Sequence, residues 1–228
     1  MPSSPPPQPP EILDRREGPY GEVVLRRHGS HLQIIANGCF LMDTSDGRSE
    51  RLLIDAAWQE LDKTHDEPSV LIGGLGVGFS LAHAATNPGW SRITVVEREQ
   101  AVVDWHTDGP LGEVSRAALD DPRAGVVVTD LLDFLRETSD TFDALCLDID
   151  NGPEWTVTEG NDGLYGPAGL ATCARVLAPG GVLAVWSAKP SSDFEQSLWN
   201  AGFRGVRTEE VPVARGVPDV VHLAVRPG

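Results

Sequence analysis

The chain has 228 residues, and its 18 basic against 34 acidic residues give a formal net charge of −16. This charge excludes nucleic acid as the main partner, because phosphate binding needs a basic surface, and it opposes binding to an anionic membrane. Hydrophobic residues make up 40% of the chain, which is enough for a folded core. The sequence predicts a soluble cytoplasmic protein. Its three cysteines are widely spaced, its start does not resemble a signal peptide, and no apolar run approaches the ~20 residues of a membrane span.

Three regions follow one another along the chain. Residues 1–18 are rich in proline at their start and are expected to form a disordered tail. Residues 19–64 are expected to form a small β region and a helix, since two strand-like runs flank a glycine turn signal. That helix is predicted to begin at Ser49, a favourable N-cap residue. Residues 65–228 are predicted to form the catalytic domain.

Beyond residue 65, short apolar segments alternate with helical patterns. Strands are expected at Val70–Ile72, Arg92–Val96, Val126–Val128, Ala144–Leu147 and Val182–Trp186. Buried strands followed by helices predict an α/β fold with a doubly wound, mostly parallel, Rossmann-like sheet. Ligands of such sheets bind beyond the carboxyl ends of the strands, at the point where the strand order reverses.

A glycine-rich turn follows the first of these strands and consists of Gly73, Gly74, Gly76 and Gly78. Its G-x-G-x-G spacing lacks the last glycine of the G-x-G-x-x-G dinucleotide fingerprint, because Phe79 stands there. No Gly-Lys-Ser/Thr follows, which excludes a P-loop. We therefore predict that these four glycines bind a nucleoside cofactor that has no pyrophosphate. The alternative is a tight turn that binds no ligand.

Acidic residues follow the next two strands. Glu97 can accept hydrogen bonds from both hydroxyls of a ribose, or it can be an exposed charge at the end of a strand. Asp130 can accept a hydrogen bond from an adenine amino group, or it can cap the following helix. We predict that Glu97, Asp130 and the adjacent Leu131 bind the cofactor.

The segment after the fourth strand carries Asp148, Asp150, Asn151 and Trp155. The carboxylates could bind an amine, accept its proton or bind a metal, and Trp155 could form a wall of the pocket. The alternative is turn formation, for which Asp, Asn, Gly and Pro are all suited. Asp148, Asp150 and Asn151 are the predicted catalytic residues, with Asp148 the strongest candidate.

Together these motifs resemble the spermidine synthase family of aminopropyltransferases. The resemblance extends from about Tyr20 to Trp186 and also includes Asn37-Gly38, Asp46…Glu50, Asp121-Pro122-Arg123, Gly163-Leu164-Tyr165 and Leu177-Ala178-Pro179-Gly180-Gly181. It implies a class I methyltransferase fold with a small N-terminal β domain. It also implies an S-adenosylmethionine-type donor, a small acceptor that can be a cationic amine, Tyr165 in the acceptor pocket, and a homodimer. No metal is expected, since a sulfonium leaving group is already activated.

The chain departs from the family pattern at several positions. Gly76 stands where the family has an acid that binds the amine of decarboxylated S-adenosylmethionine, and Asn151 stands in place of a second Asp. Because Gly76 would not repel the carboxylate of intact S-adenosylmethionine, the leading hypothesis is methyl transfer from the intact donor. The alternatives are aminopropyl transfer from the decarboxylated donor and a non-catalytic nucleotide-binding module.

Overall fold

The computed structural model describes residues 9–62, 66–149, 152–153, 162–211 and 217–228. In these ranges the strands form two sheets, and helices cover both faces of the larger one. The elements in chain order are β1 (Glu11–Gly18), β2 (Gly21–His28), β3 (His31–Ala36), β4 (Cys39–Asp43), α1 (Arg48–Glu60), β5 (Ser69–Gly73), α2 (Phe79–Thr86), β6 (Arg92–Glu97), α3 (Gln100–Thr107), α4 (Gly112–Leu119), β7 (Ala124–Val128), α5 (Leu131–Glu137), β8 (Phe142–Leu147), α6 (Asp162–Tyr165), α7 (Pro167–Val176), β9 (Leu177–Ser187), α8 (Ser192–Asn200), β10 (Arg204–Val211) and β11 (Asp219–Val225).

The larger sheet has the strand order β10-β11-β9-β8-β5-β6-β7. Strands β5 to β9 are parallel to their neighbours within that group, whereas β11 is antiparallel to β9 and β10 is antiparallel to β11. The order reverses between β5 and β8, so the carboxyl ends of these two strands lie at the switch point. The predicted fold class is confirmed.

The smaller sheet is an antiparallel meander in the order β1-β2-β3-β4. Its first strand corrects the expectation of a disordered tail up to residue 18, because β1 pairs with β2 from Glu11↔Arg27 to Gly18↔Gly21. An ion pair between Arg16 and Asp104 of α3 also joins β1 to the larger domain. The prolines that indicated disorder precede the strand, so they do not interrupt its hydrogen bonds.

Helix α1 connects the two sheets and packs against β8, β9 and β11. Its N-cap residue is Gly47 rather than the predicted Ser49. The Ser49 hydroxyl lies inside the first turn, where it donates a hydrogen bond to the Glu50 carboxylate at 3.1 Å. The prediction of the N-cap was therefore wrong, and the first turn of α1 instead presents polar side chains toward the edge of the sheet. No helix within the described ranges is long and apolar enough to cross a membrane.

Candidate active site

A cavity of about 560 Å³ lies over the carboxyl ends of β5, β6 and β8. Apolar side chains of the smaller sheet contribute to its lining, among them Val23, Ile34, Phe40 and Met42. The ends of the parallel strands and the first turn of α1 supply most of its polar lining. The small sheet and the α/β domain therefore build this site together.

The glycine turn forms one part of the cavity wall. Gly74 and Gly76 line the cavity, and both have positive φ angles, of 90° and 51°. Gly73 and Gly78 do not line it in the described structure. A Cβ atom on Gly73 would lie 2.7 Å from Leu131, and one on Gly78 would lie 2.8 Å from His106. These two glycines permit close packing beneath the turn, and cofactor binding by all four remains a prediction.

Glu97 ends β6 and lies buried in the cavity wall. Its Oε2 accepts a hydrogen bond from the Leu75 N–H at 2.9 Å, and its Oε1 accepts one from the Glu99 N–H at 2.8 Å. Each carboxylate oxygen has more than one acceptor site, so both can still accept a ribose hydroxyl. The alternative of an exposed charge at the end of a strand is wrong, because the side chain is 8% exposed.

Asp130 caps α5 and also lines the cavity. Its Oδ1 accepts hydrogen bonds from the N–H groups of Leu132 at 2.9 Å and Asp133 at 3.2 Å. Both hydrogen bonds use the same oxygen, so the capping role leaves Oδ2 for a ligand. The predicted cofactor residue Leu131 lies beside it, buried and in the cavity wall.

Asp148 follows β8 at the switch point and lines the cavity, and the strand order places β8 on the other side of β5 from β6 and β7, which Glu97 and Asp130 follow. Its N–H donates to the Gly73 carbonyl at 3.1 Å, which fixes the backbone at this point. Burial raises the pKa of the Asp148 carboxyl to about 8, and the charges of Glu50 and Asp219 contribute to this rise. A carboxyl group with such a pKa can exchange a proton with an amine near neutral pH.

The sequence did not identify Glu50 or Asp219 individually as functional residues. Glu50 lies in the first turn of α1 and is 8% exposed, and burial raises its pKa. Asp219 begins β11, and burial together with the charge of Asp46 raises its pKa. Both line the cavity with Asp148. Asp219 could have been found from strand direction. An antiparallel strand begins at the edge of the sheet where the parallel strands end, so its first residue lies near the residues that follow those strands.

Trp186 lies on the same face of the sheet as these acids. It pairs with Val221 of β11, and side chains on a strand alternate between faces, so Asp219, two residues before Val221, shares the Trp186 face. Trp186 also lines the cavity. An aromatic ring beside several carboxylates suits a ligand that has both a methylene chain and a cationic group.

The other predicted residues have different outcomes. Tyr165 is 6% exposed, and its hydroxyl donates a hydrogen bond to the Ile149 carbonyl at 3.2 Å. It packs against Phe194 and is not among the described lining residues, so its place in the acceptor pocket stays a prediction. Asp150, Asn151 and Trp155 lie outside the described residues.

The chemistry that this cavity can support follows from its charges. Of the described lining residues Arg98 alone is basic, whereas Asp43, Asp46, Glu50, Glu97, Glu99, Asp130, Asp148 and Asp219 are acidic. Among the described residues no group of three or more His, Cys, Asp and Glu side chains has the geometry of a metal site. The site can therefore hold a nucleoside at one end and a cationic group at the other.

A class I methyltransferase-like domain with a cavity at its switch point and a small N-terminal β sheet defines the class of this protein. The family model described as "Spermine/spermidine synthase domain" matches residues 61–197. The chain belongs to this family.

Curated relatives cover most of this chain, but the chain covers much less of them. A polyamine aminopropyltransferase of Mycobacterium tuberculosis (strain ATCC 25618 / H37Rv) is 31% identical over 186 residues, which are 79% of this chain and 34% of the relative. One of Prochlorococcus marinus (strain AS9601) is 25% identical over 187 residues, 80% of this chain and 62% of the relative. The chain thus spans between about a third and three-fifths of their length.

Solved structures match the fold over nearly the whole chain. A spermidine synthase in complex with the transition state analogue AdoDATO has a TM-score of 0.78 and 17% sequence identity, and the match covers 95% of this chain and 74% of that chain. Spermidine synthase from Thermotoga maritima has a TM-score of 0.75 at 17% identity over 95% of this chain and 73% of its own.

Proposed function

We propose that this protein transfers an aminopropyl group from decarboxylated S-adenosylmethionine to a small amine. The observation that carries the proposal is the convergence of Asp148, Glu50 and Asp219 at one end of the cavity. These acids attract a cationic amine and repel a carboxylate. Family membership supports the same reaction. The leading hypothesis from the sequence, methyl transfer from the intact donor, is not supported by the comparisons.

The structure also offers another reason for the glycine at position 76. A Cβ atom there would lie 2.3 Å from the Met42 Sδ, so Met42 occupies the space into which a side chain would extend. The positive φ of Gly76, 51°, and its packing against Met42 both favour glycine here, and neither depends on the carboxylate of an intact donor.

In the proposed mechanism the nucleoside part of the donor lies between the glycine turn, Glu97 and Asp130. The nitrogen of the acceptor amine attacks the propyl carbon that is bonded to the sulfonium. A C–N bond forms while the C–S bond breaks, and its electron pair stays on sulfur, so methylthioadenosine leaves. The nitrogen gives up one proton, which the ionised Asp148 carboxylate accepts. Positioning and the negative potential of the acids contribute the rest of the rate.

The pKa of Asp148 gives the acceptor step a proton linkage. With a pKa of about 8, the carboxyl is mainly protonated at pH 7 in the free protein. A bound ammonium group favours the ionised carboxylate, so amine binding at pH 7 releases a proton. Calorimetry in buffers of different ionisation enthalpy measures this release.

The nucleoside product distinguishes the candidate reactions. The protein is incubated separately with intact and with decarboxylated S-adenosylmethionine, each with 1,3-diaminopropane, 1,4-diaminobutane or spermidine, and the nucleosides are identified by mass spectrometry. Amine-dependent methylthioadenosine from the decarboxylated donor supports the proposal. S-adenosylhomocysteine from the intact donor would establish methyl transfer instead. Binding without either product would establish a non-catalytic module.

A further inference from the structure

His106 lies fully buried on α3, directly beneath the glycine turn. Its Nε2 is 2.9 Å from the Gly76 carbonyl oxygen, and its Nδ1 is 2.6 Å from the Ser115 Oγ. Because a carbonyl oxygen can only accept, Nε2 carries a proton and donates to Gly76. Burial lowers the pKa of His106, so the ring is neutral near pH 7. The Ser115 hydroxyl then donates to Nδ1.

The peptide between Gly76 and Val77 is held at both of its polar atoms. His106 holds the carbonyl oxygen, and the Val77 N–H donates to the Met42 Sδ at 3.2 Å. Gly76 itself lines the cavity with a φ of 51°. No acceptor for the Gly76 N–H occurs in the part of the chain that the structure describes, so this donor is available to a ligand.

Gly78, the last glycine of the turn, leaves the space that the His106 ring occupies. A Cβ atom on Gly78 would lie 2.8 Å from His106 Cε1 and 3.0 Å from Ser115 Cβ. Only glycine at this position therefore lets the imidazole reach the Gly76 carbonyl. This contact explains a glycine that does not itself line the described cavity.

We propose that His106 is a positioning residue for nucleoside binding. With Ser115 as its hydrogen-bond partner, it holds the Gly76–Val77 peptide and so fixes the backbone of Gly76, which lines the cavity. The Gly76 N–H, which belongs to the preceding peptide, can then donate to the bound nucleoside. The nucleoside part of this inference rests on the proposed function, whereas the orientation of the peptide does not.

The test combines ligand affinity with a measurement that needs no ligand. His106→Leu removes the donor to Gly76, and His106→Gln keeps an N–H in a similar place. His222→Leu is the matched control, because it replaces another fully buried histidine that lies on β11. The Kd of methylthioadenosine is measured by calorimetry, the exchange rate of the Val77 amide proton by NMR, and the melting temperature for each variant.

We expect His106→Leu to weaken methylthioadenosine binding about tenfold, as for the loss of one hydrogen bond, and to speed Val77 exchange. His106→Gln should stay close to the wild type in both measurements. His222→Leu should lower the melting temperature while affinity and Val77 exchange stay unchanged. If His106→Leu does not fold, Ser115→Ala tests the same contact and should weaken binding by a smaller factor.

Two further outcomes separate this inference from the proposed function. A folded His106→Leu or Ser115→Ala protein with wild-type affinity and wild-type Val77 exchange would overturn the positioning role. A wild-type protein that binds no methylthioadenosine, but whose Val77 exchange depends on His106, would support the orientation of the peptide and overturn the proposed function. In an active enzyme, His106→Leu should raise the KM for the donor and leave kcat nearly unchanged.

Discussion

The two ends of the cavity use their carboxylates in opposite ways. At the nucleoside end, Glu97 and Asp130 accept hydrogen bonds from backbone N–H groups that belong to the adjacent turns. At the other end, burial raises the pKa values of Asp148, Glu50 and Asp219, and nearby carboxylates contribute: Glu50 and Asp219 for Asp148, and Asp46 for the other two. The first arrangement stabilises the fold and positions a ligand, whereas ionisation of the second costs stability, which protonation or a cationic ligand restores.

This difference suggests that one end of the cavity binds the nucleoside and the other end carries out the proposed proton transfer. The nucleoside end is already organised before any ligand binds, because its acids also hold the backbone. The acidic end gathers groups from β8, α1 and β11, which are distant in the sequence and meet only in the folded chain. Strongly perturbed carboxyl groups in a cavity are typical of functional sites. Each prediction below acts on one end of the cavity.

The largest effect is expected from Asp148→Asn. Because asparagine cannot accept the proton of the attacking amine, aminopropyl transfer should fall about 100-fold or more. The Kd of methylthioadenosine should change little, since this ligand occupies the other end. Steady-state product formation and calorimetry measure the two quantities. Asp133→Asn, which removes an exposed carboxylate from α5, is the control. Equal activity in the two variants would remove Asp148 from the mechanism.

The same substitution should change how stability depends on pH. The folded chain keeps the Asp148 proton up to about pH 8, whereas the unfolded chain loses it near the ordinary value of 3.8. The contribution of Asp148 to the free energy of unfolding should therefore decrease as the pH rises from about 4 to about 8 and then level off. Asp148→Asn lacks this contribution, so it should equal the wild type near pH 4.

At pH 8.5 Asp148→Asn should be more stable than the wild type by about 1 kcal/mol or more, since one pKa unit corresponds to about 1.36 kcal/mol. Urea unfolding at several pH values measures the difference. Glu113→Gln, at an exposed site in α4, should follow the wild-type curve. A wild-type curve parallel to that of Asp148→Asn over the whole range would show that the acidic end carries no such cost. The comparison between the two ends would then fail.

The nucleoside end was predictable from the sequence because its residues follow parallel strands directly. Glu97, Asp130 and the glycine turn come after apolar segments whose carboxyl ends must meet at one edge. Asp148 was found by the same reasoning. Asp219 was missed because it begins an antiparallel strand, and the direction of β11 cannot be read from its apolar pattern.

Other residues were missed because tertiary contacts assign their roles. Glu50 belongs to a helix whose polar first turn resembles any solvated helix start, and only packing of α1 on the sheet buries it. His106 sits on a short helix, where its spacing gives no indication of the Gly76 carbonyl 30 residues earlier. The strand at Glu11–Gly18 was hidden by the prolines before it, although its pairing with β2 is regular over most of its length.

A smaller effect on stability is expected from Gly76→Ala. Alanine at a φ of 51° is strained, and its Cβ would lie 2.3 Å from the Met42 Sδ. We expect a loss of about 2 kcal/mol, of which about half is backbone strain. Gly29→Ala is a matched control, since Gly29 has a φ of 61° and no atom lies within 4 Å of the place that a Cβ atom would take.

Chemical denaturation separates the backbone strain from the steric clash with Met42. The variants compared are Gly76→Ala, Gly29→Ala, Met42→Ala and the double variant at positions 42 and 76. Met42→Ala should recover part of the loss in the Gly76→Ala background, which is measured as a coupling energy between the two positions. Gly29→Ala should lose only the strain. Equal losses at positions 29 and 76 with no coupling to Met42 would mean that Met42 does not fill this space.

The smallest effect is expected at Asp130, where capping and ligand binding use different oxygens. Asp130→Ala should cost about 1 kcal/mol of stability through loss of the cap, whereas Asp130→Ser keeps a capping oxygen and should cost a few tenths. Both variants lack Oδ2, so both should weaken methylthioadenosine binding by a similar factor of about three to ten. Thermal unfolding and calorimetry give the two numbers for each variant. If affinity instead follows stability, with serine binding as well as aspartate, Asp130 acts only as a cap. The nucleoside end would then recognise its ligand through Glu97 and the glycine turn. Of its two carboxylates, only Glu97 would both hold the backbone and bind the ligand.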